Sequence, residues 1–184
     1  MAQKAFLIPQ TPPYIVPVEL YDEAYRLYQR RFLMWKNWIL EAILVLLSVD
    51  FVVTAFKDPS NMLVYFLLIL CVVLLGLLIF HPLRIRRRVM DAVKEMGEIP
   101  YVAALSEQEI VIQTLTAEGE EEIPPTVLEY DKNMRIIEAE QFFLICEGKE
   151  RFYVLPKKAL YDEQVFAMRR FLRQKLNKRF QSNF

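Results

Sequence analysis

Met62–Phe80 reads MLVYFLLILCVVLLGLLIF, and these residues decide the fold. They carry no charge. As a helix rising about 1.5 Å per residue the run spans roughly 28 Å, close to the roughly 30 Å hydrocarbon core of a bilayer. A span needs a return partner, and Trp38–Phe56, WILEAILVLLSVDFVVTAF, has the same length. It is weaker alone because it contains Glu41 and Asp50. Lys57-Asp58-Pro59-Ser60-Asn61 joins the two runs, and proline and asparagine suit a helix-breaking turn. The competing reading, a soluble protein with a buried hairpin, lacks enough remaining chain to cover two helices that are apolar all round.

Working outward, basic residues set the orientation. Arg26, Arg30, Arg31 and Lys36 precede the first run and Arg84, Arg86, Arg87 and Arg88 follow the second, whereas the connection holds only Lys57. Lysine and arginine stay on the cytoplasmic side, so both termini are expected inside a bacterial cytoplasmic membrane. Trp35 and Trp38 fall at the inner edge, where amphipathic rings prefer the headgroups. The four arginines fix topology and also suit anionic lipid headgroups.

Three polar groups lie within the hairpin. Asp50 sits about 12 residues into the first span, where an aspartate costs on the order of 2.5–3.5 kcal/mol and is often functional. The plainer expectation is a side chain hydrogen-bonded to Thr54 or to a partner helix. Glu41 and His81 lie at similar depth near the cytoplasmic edge and are expected to pair. Glu41 and Asp50 are nine positions apart, about 180° around a helix, so they do not form one carboxylate site.

The chain has 184 residues, 54% hydrophobic and 25% charged, with 23 basic and 23 acidic residues. That allows one small globular domain beside the hairpin. Met1–Val18 has no apolar run of secretory-signal length, so no cleaved leader is expected. Cys71 and Cys146 have no CxxC partner, which argues against a disulfide scaffold and fits a reducing compartment. Tyr14–Leu20 reads as an edge strand at best because of Pro17. Tyr21, Tyr25, Tyr28, Phe32 and Trp35 then recur at helical spacing, an aromatic stripe expected to pack on the protein's own domain or lie at the bilayer interface. The expected organisation is residues 1–37 as a strand and this striped helix, 38–81 as the hairpin, 82–97 as a juxtamembrane helix ending at Gly97, and 98–184 as a cytoplasmic domain.

That last domain alternates in short strands: Tyr101–Leu105, Glu109–Leu115, Thr126–Tyr130, Met134–Ala139, Phe142–Glu147 and Arg151–Leu155, with Glu147-Gly148-Lys149 as a hairpin turn. Leu160–Lys178 returns to helical periodicity through Val165, Met168, Leu172 and Leu176. The fold class is α+β: a two-helix transmembrane hairpin followed by an antiparallel meander capped by one helix.

Here the chain resembles the YcxB-like family of small bacterial membrane proteins. The resemblance lies in Glu109–Thr114, Thr126–Tyr130, Phe142–Ile145 and above all Phe152–Leu160, FYVLPKKAL, and covers most of residues 14–178. It implies a cytoplasmic domain like a bacterial pleckstrin-homology domain, a bent sheet with a capping helix. The acidic turn and Ile123-Pro124-Pro125 depart from the pattern before the third strand. The family supplies no catalytic residue to carry over.

The chemistry-bearing motifs are missing. There is no P-loop, GxGxxG, GxSxG or HExxH, and there are only four glycines. The glutamates at 118–122 lack the spacing of a calcium loop and are expected to form a solvated turn. No cofactor, metal or catalytic residue is expected. Lys157–Arg179 carries eight basic and two acidic residues, yet a domain this rich in glutamate repels nucleic acid. The expectation is a non-enzymatic regulatory or scaffold subunit that binds a protein partner or lipid headgroups. The alternative is an oligomeric transport component that uses Asp50.

Overall fold

The computed structural model describes residues 6–116 and 123–182. It is mixed helix and sheet and divides into two units, Met1–Ala24 with Met96–Phe184, and Tyr25–Glu95.

The helical unit contains the two long apolar helices. Helix α1 (Val18–Tyr28) is followed by a π-helical turn at Gln29–Leu33 and by α2 (Met34–Lys57). After a short turn, α3 covers Met62–Met96. Both α2 and α3 are long and apolar enough to cross a membrane. In the turn, Asp58 Oδ1 accepts from the Ser60 hydroxyl at 2.7 Å and its backbone N–H at 3.3 Å. That local carboxylate turn stops α2 where Pro59 prevents continuation. On α2 the less exposed positions include Asn37, Glu41, Leu44, Ser48, Phe51 and Ala55, with Met34 and Thr54 beside them; on α3 they include Val64, Leu68, Cys71, Leu75 and Leu78. Steps of three and four make one stripe on each helix, and these stripes are the facing sides of the hairpin.

One expectation changes here. The second helix does not close at His81. It passes through Pro82 without a break to Met96, so the span and the juxtamembrane helix are one element. A proline removes one ladder bond, here the one to the Leu78 carbonyl. On the far side of the proline, Gln29 Nε2 donates to the Pro82 carbonyl at 3.2 Å. The helix ends where expected, with Gly97 in the left-handed region at φ 74°.

The other unit is a two-sheet domain. Strands β1 (Phe6–Ile8) and β2 (Tyr14–Ile15) both pair antiparallel with β3 (Pro100–Ser106), which pairs in turn with β4 (Glu109–Thr114) and then β5 (Thr126–Glu129). Thr11 fills the gap between β1 and β2. Its N–H donates to the Ala103 carbonyl at 2.8 Å, and its hydroxyl accepts from the Ala103 N–H at 2.9 Å. The second sheet runs β8 (Arg151–Pro156), β7 (Phe142–Glu147), β6 (Met134–Glu138), β9 (Phe180–Ser182). Helix α4 (Asp162–Leu176) lies between β8 and β9 in sequence.

The meander expected from sequence is therefore two sheets, not one, and β9 joins β6 in parallel. The break falls at Tyr130–Asn133. Asp131 Oδ1 accepts from the Asn133 and Met134 N–H groups at 2.9 and 2.8 Å, which turns the chain before it can pair β6 with β5. Both sheets and α4 share one core: Leu105 and Ile110 from the first sheet, Ile136, Phe143 and Leu155 from the second, Met168 and Leu172 from the helix. Strand β7 is buried on both faces. Phe143 and Ile145 look into the shared core. Phe142, Leu144 and Cys146 look the other way, the side on which Tyr21 meets Phe152 with ring centroids 5.2 Å apart.

Candidate functional site

Strand β6 alternates Met134, Ile136 and Glu138 toward the core. The third of these is a carboxylate with no exposed surface. Such a charge is tolerated only when paired and hydrogen-bonded, and Glu138 is both. Arg169 on α4 donates through Nε to both carboxylate oxygens at 2.9 Å, and through a terminal nitrogen to Oε1 at 2.6 Å. Lys157 Nζ lies 2.9 Å from the same oxygen. Burial raises the Glu138 pKa, but the hydrogen bonds and charges of Arg169 and Lys157 outweigh it and hold the carboxyl below its ordinary value. The bond to Glu138 raises the Arg169 pKa in return. Lys157 also stands 5.3 Å from the centre of the Phe143 ring, a cation–π distance. Phe143 is the strand partner of Glu138.

The LPKKAL segment now has a physical reading. Leu155 fills the core and Pro156 ends β8. Lys157–Ala159 makes one 3-10 turn, which aims Lys157 back at Glu138. One carboxylate thus ties strand, turn and helix together.

Lys157 also borders an open cleft of about 620 Å³. Pro12, Pro13, Ile15, Pro17, Pro156 and Ala159 give it apolar lining, and Lys158 adds a second cation. Glu19, Glu23 and Glu140 stand on its rim. Tyr14 lies in the floor, and burial pushes its hydroxyl pKa up, so it stays neutral. Stiff apolar walls with charged edges suit binding of a chain or headgroup. The lining holds no histidine, cysteine or serine.

A third surface lies on the outer side of α4. Phe166 is 68% exposed and, with Arg169, Arg170, Arg173 and Gln174, surrounds a shallow depression of about 360 Å³.

The residues expected from sequence fall elsewhere. Asp50 is exposed on α2, off the stripe that faces α3. The Thr54 hydroxyl donates at 2.9 Å to the backbone carbonyl of Asp50, not to its carboxylate. Glu41 lies on the facing stripe and is half-buried, while His81 is exposed. Among the described residues no hydrogen bond or ion pair joins them, because His81 is off the facing stripe. Arg84, Arg87 and Arg88 are exposed on α3 and Arg86 is half-buried. In the aromatic stripe, Tyr25 and Tyr28 are buried, whereas Trp35 is 70% exposed, the π-helical turn having shifted the phase between them. The acidic turn at 117–122 lies outside the described residues. Among those residues no three histidine, cysteine or acidic groups gather as a metal site.

Lys157 lies in the segment that carries the resemblance, but Glu138, which gathers Lys157 and Arg169, was not singled out by sequence. The usable signal was phase, since Glu138 continues the i, i+2 step of Met134 and Ile136.

No family model, curated protein or solved structure matches this chain.

Proposed function

We propose that this chain is a membrane-anchored interaction protein. The α2–α3 hairpin holds it in a bacterial cytoplasmic membrane, and its two-sheet domain acts in the cytoplasm as a regulatory or scaffold module for a protein partner or lipid headgroups. The domain is of pleckstrin-homology type, as the YcxB-like resemblance implies, and the work it does is recognition, not catalysis.

One observation carries the reading. Strands β1 and β2 precede the two apolar helices, β3 follows them, and all three pair in one sheet. Paired strands share a compartment, so the chain between them crosses a bilayer an even number of times. That supports a returning hairpin, and the charge bias of the flanks supports the cytoplasmic side. The cleft beside Lys157 is the surface for the protein partner.

Purification of the full chain from its native membrane in gentle detergent, followed by native mass determination, tests this. A stoichiometric foreign subunit that is lost in the cleft variant Ile15→Asp supports the reading. An unchanged complex in Ile15→Asp refutes the cleft as its surface.

Asp50 favours a second reading, an oligomeric transport component. Its side chain is exposed, and no group among the described residues is hydrogen-bonded to its carboxylate. A self-oligomer that falls apart in Asp50→Leu, with the cleft variant silent, selects that reading.

A further inference from the structure

We infer that the outer face of α4 is an anionic-lipid docking surface, and that the headgroups seat between Phe166, Arg170 and Arg173. The inference rests on the reading of the chain as membrane-anchored, and it gives the lipid half of that reading a location.

The face is unlike an ordinary solvated helix side. Helix α4 carries four basic and two acidic residues. The acids, Asp162 and Glu163, are both in the first turn, where they complement the helix dipole. Arg169 is committed to Glu138, so Arg170 and Arg173 are the exposed cations of the middle turns. They flank the depression beside Phe166. A phenylalanine 68% exposed among arginines is poorly placed in water. It is well placed at a headgroup boundary, where an aromatic ring enters the acyl edge while guanidinium groups take phosphate. Tyr161, at the N-terminal cap of α4, is also 70% exposed. A soluble acidic protein would satisfy the arginines and leave both rings in water. A bilayer satisfies cations and rings together. The hairpin also keeps bilayer close to the domain at all times, which raises the effective concentration of this one partner above others.

The test uses the full chain in nanodiscs, with Cys71→Ala and with Ala167→Cys, an exposed position, carrying an environment-sensitive fluorophore. Cys146 is fully buried and stays unlabelled in the folded domain. One set of discs holds phosphatidylcholine alone; the other holds phosphatidylglycerol and phosphatidylcholine in equal parts. Brominated acyl chains report contact. Strong quenching in the anionic discs, weak quenching in the neutral ones and loss at high salt are expected. The Arg170→Gln/Arg173→Gln variant should lower the docked-to-free ratio by roughly 30-fold, about 1 kcal/mol for each arginine. Phe166→Ser should reduce quenching while leaving the salt dependence in place. Equal quenching in both disc types, or indifference to the arginine variant, overturns the inference. Inorganic phosphate is added against chloride at matched ionic strength. Specific displacement by phosphate would assign the arginines to a soluble anion and likewise overturn lipid docking. A chain that fails to enter nanodiscs overturns the anchoring reading, and this inference with it; a chain that enters them with an unquenched probe overturns the inference alone.

Discussion

Replacing Arg169 with methionine tests whether the Glu138 centre holds the sheet domain together. The change keeps most of the aliphatic bulk and removes the two-pronged donor. Glu138 then remains fully buried with Lys157 as its charged neighbour at 2.9 Å. Breaking a buried ion pair by removing one partner costs about 3–5 kcal/mol, and the surviving lysine places the expectation at the low end, about 3 kcal/mol. At about 4–8 °C per kcal/mol for a domain of 60–100 residues, the midpoint should fall by roughly 12–24 °C. Cys146 supplies the assay, because it is buried in β7 and reacts with a maleimide dye only when the domain opens. With Cys71→Ala in the background, dye fluorescence on heating in detergent reads domain melting. The pH dependence gives a second check. In the wild type the folded Glu138 pKa is lowered. Its contribution is therefore present above the unfolded value of about 4.3 and is lost as pH falls through the lower folded value. In the variant, burial dominates and raises the folded pKa, so the penalty is present at neutral pH and is shed as acid protonates the carboxyl. The two melting curves should converge on acidification. A midpoint within a few degrees of wild type at pH 7, or a gap that widens in acid, would refute the reasoning. Exchanging all three residues, Glu138→Leu, Lys157→Met and Arg169→Met, should recover much of the loss, since well-packed apolar replacements of buried ion pairs are often neutral.

Other expectations follow from the same contacts. Phe143 is fully buried and lies beneath Lys157, so Phe143→Ala should destabilise by about 3–5 kcal/mol, read in the same melting assay. Burial pushes the Cys146 thiol up to about 12. Its folded value lies above the unfolded value of about 8.5, so its contribution is full below that pH and declines as pH rises toward 12; labelling of the native domain at pH 8 should be far slower than labelling after urea. Gly148 has φ 67° with nothing near an added Cβ. Gly148→Ala should therefore cost about 1–2 kcal/mol from backbone strain alone, seen as a melting shift of several degrees. Asp50→Leu should favour membrane insertion by about 3 kcal/mol, measured as a glycosylation-tag insertion ratio for the first span.

Much of this architecture was legible in the residues. The strands from Pro100 to Pro156 follow two-residue alternation between polar turns, and the two long helices follow apolar runs, the second of them without a charge. What escaped detection depended on distant partners. Phe6–Ile8 has only three residues and no alternation long enough to show; it is a strand because β3 offers it an edge. Phe180–Ser182 is a strand for the same reason beside β6. Glu138 and Glu140 look alike in Ile136-Ile137-Glu138-Ala139-Glu140, and only the arrival of Arg169, 31 positions on, shows which of them is the buried charge. The expected Glu41–His81 pair went astray because depth along two helices was estimated without their rotation. The division placed between residues 81 and 82 does not interrupt α3, because Pro82 deletes one hydrogen bond without obliging the helix to stop.

The pairing of β2 with β3 also governs the order in which this chain can mature. Tyr14 and Tyr101 are register partners, 101 − 14 = 87 positions apart. At about 5–20 residues per second, translation needs roughly 4–17 s between them. During that interval the first strands have no edge to join, while both apolar helices are still being synthesised. The sheet therefore closes only after both long helices have been made. A product halted before Tyr101 would leave both leading strands without the edge they pair with.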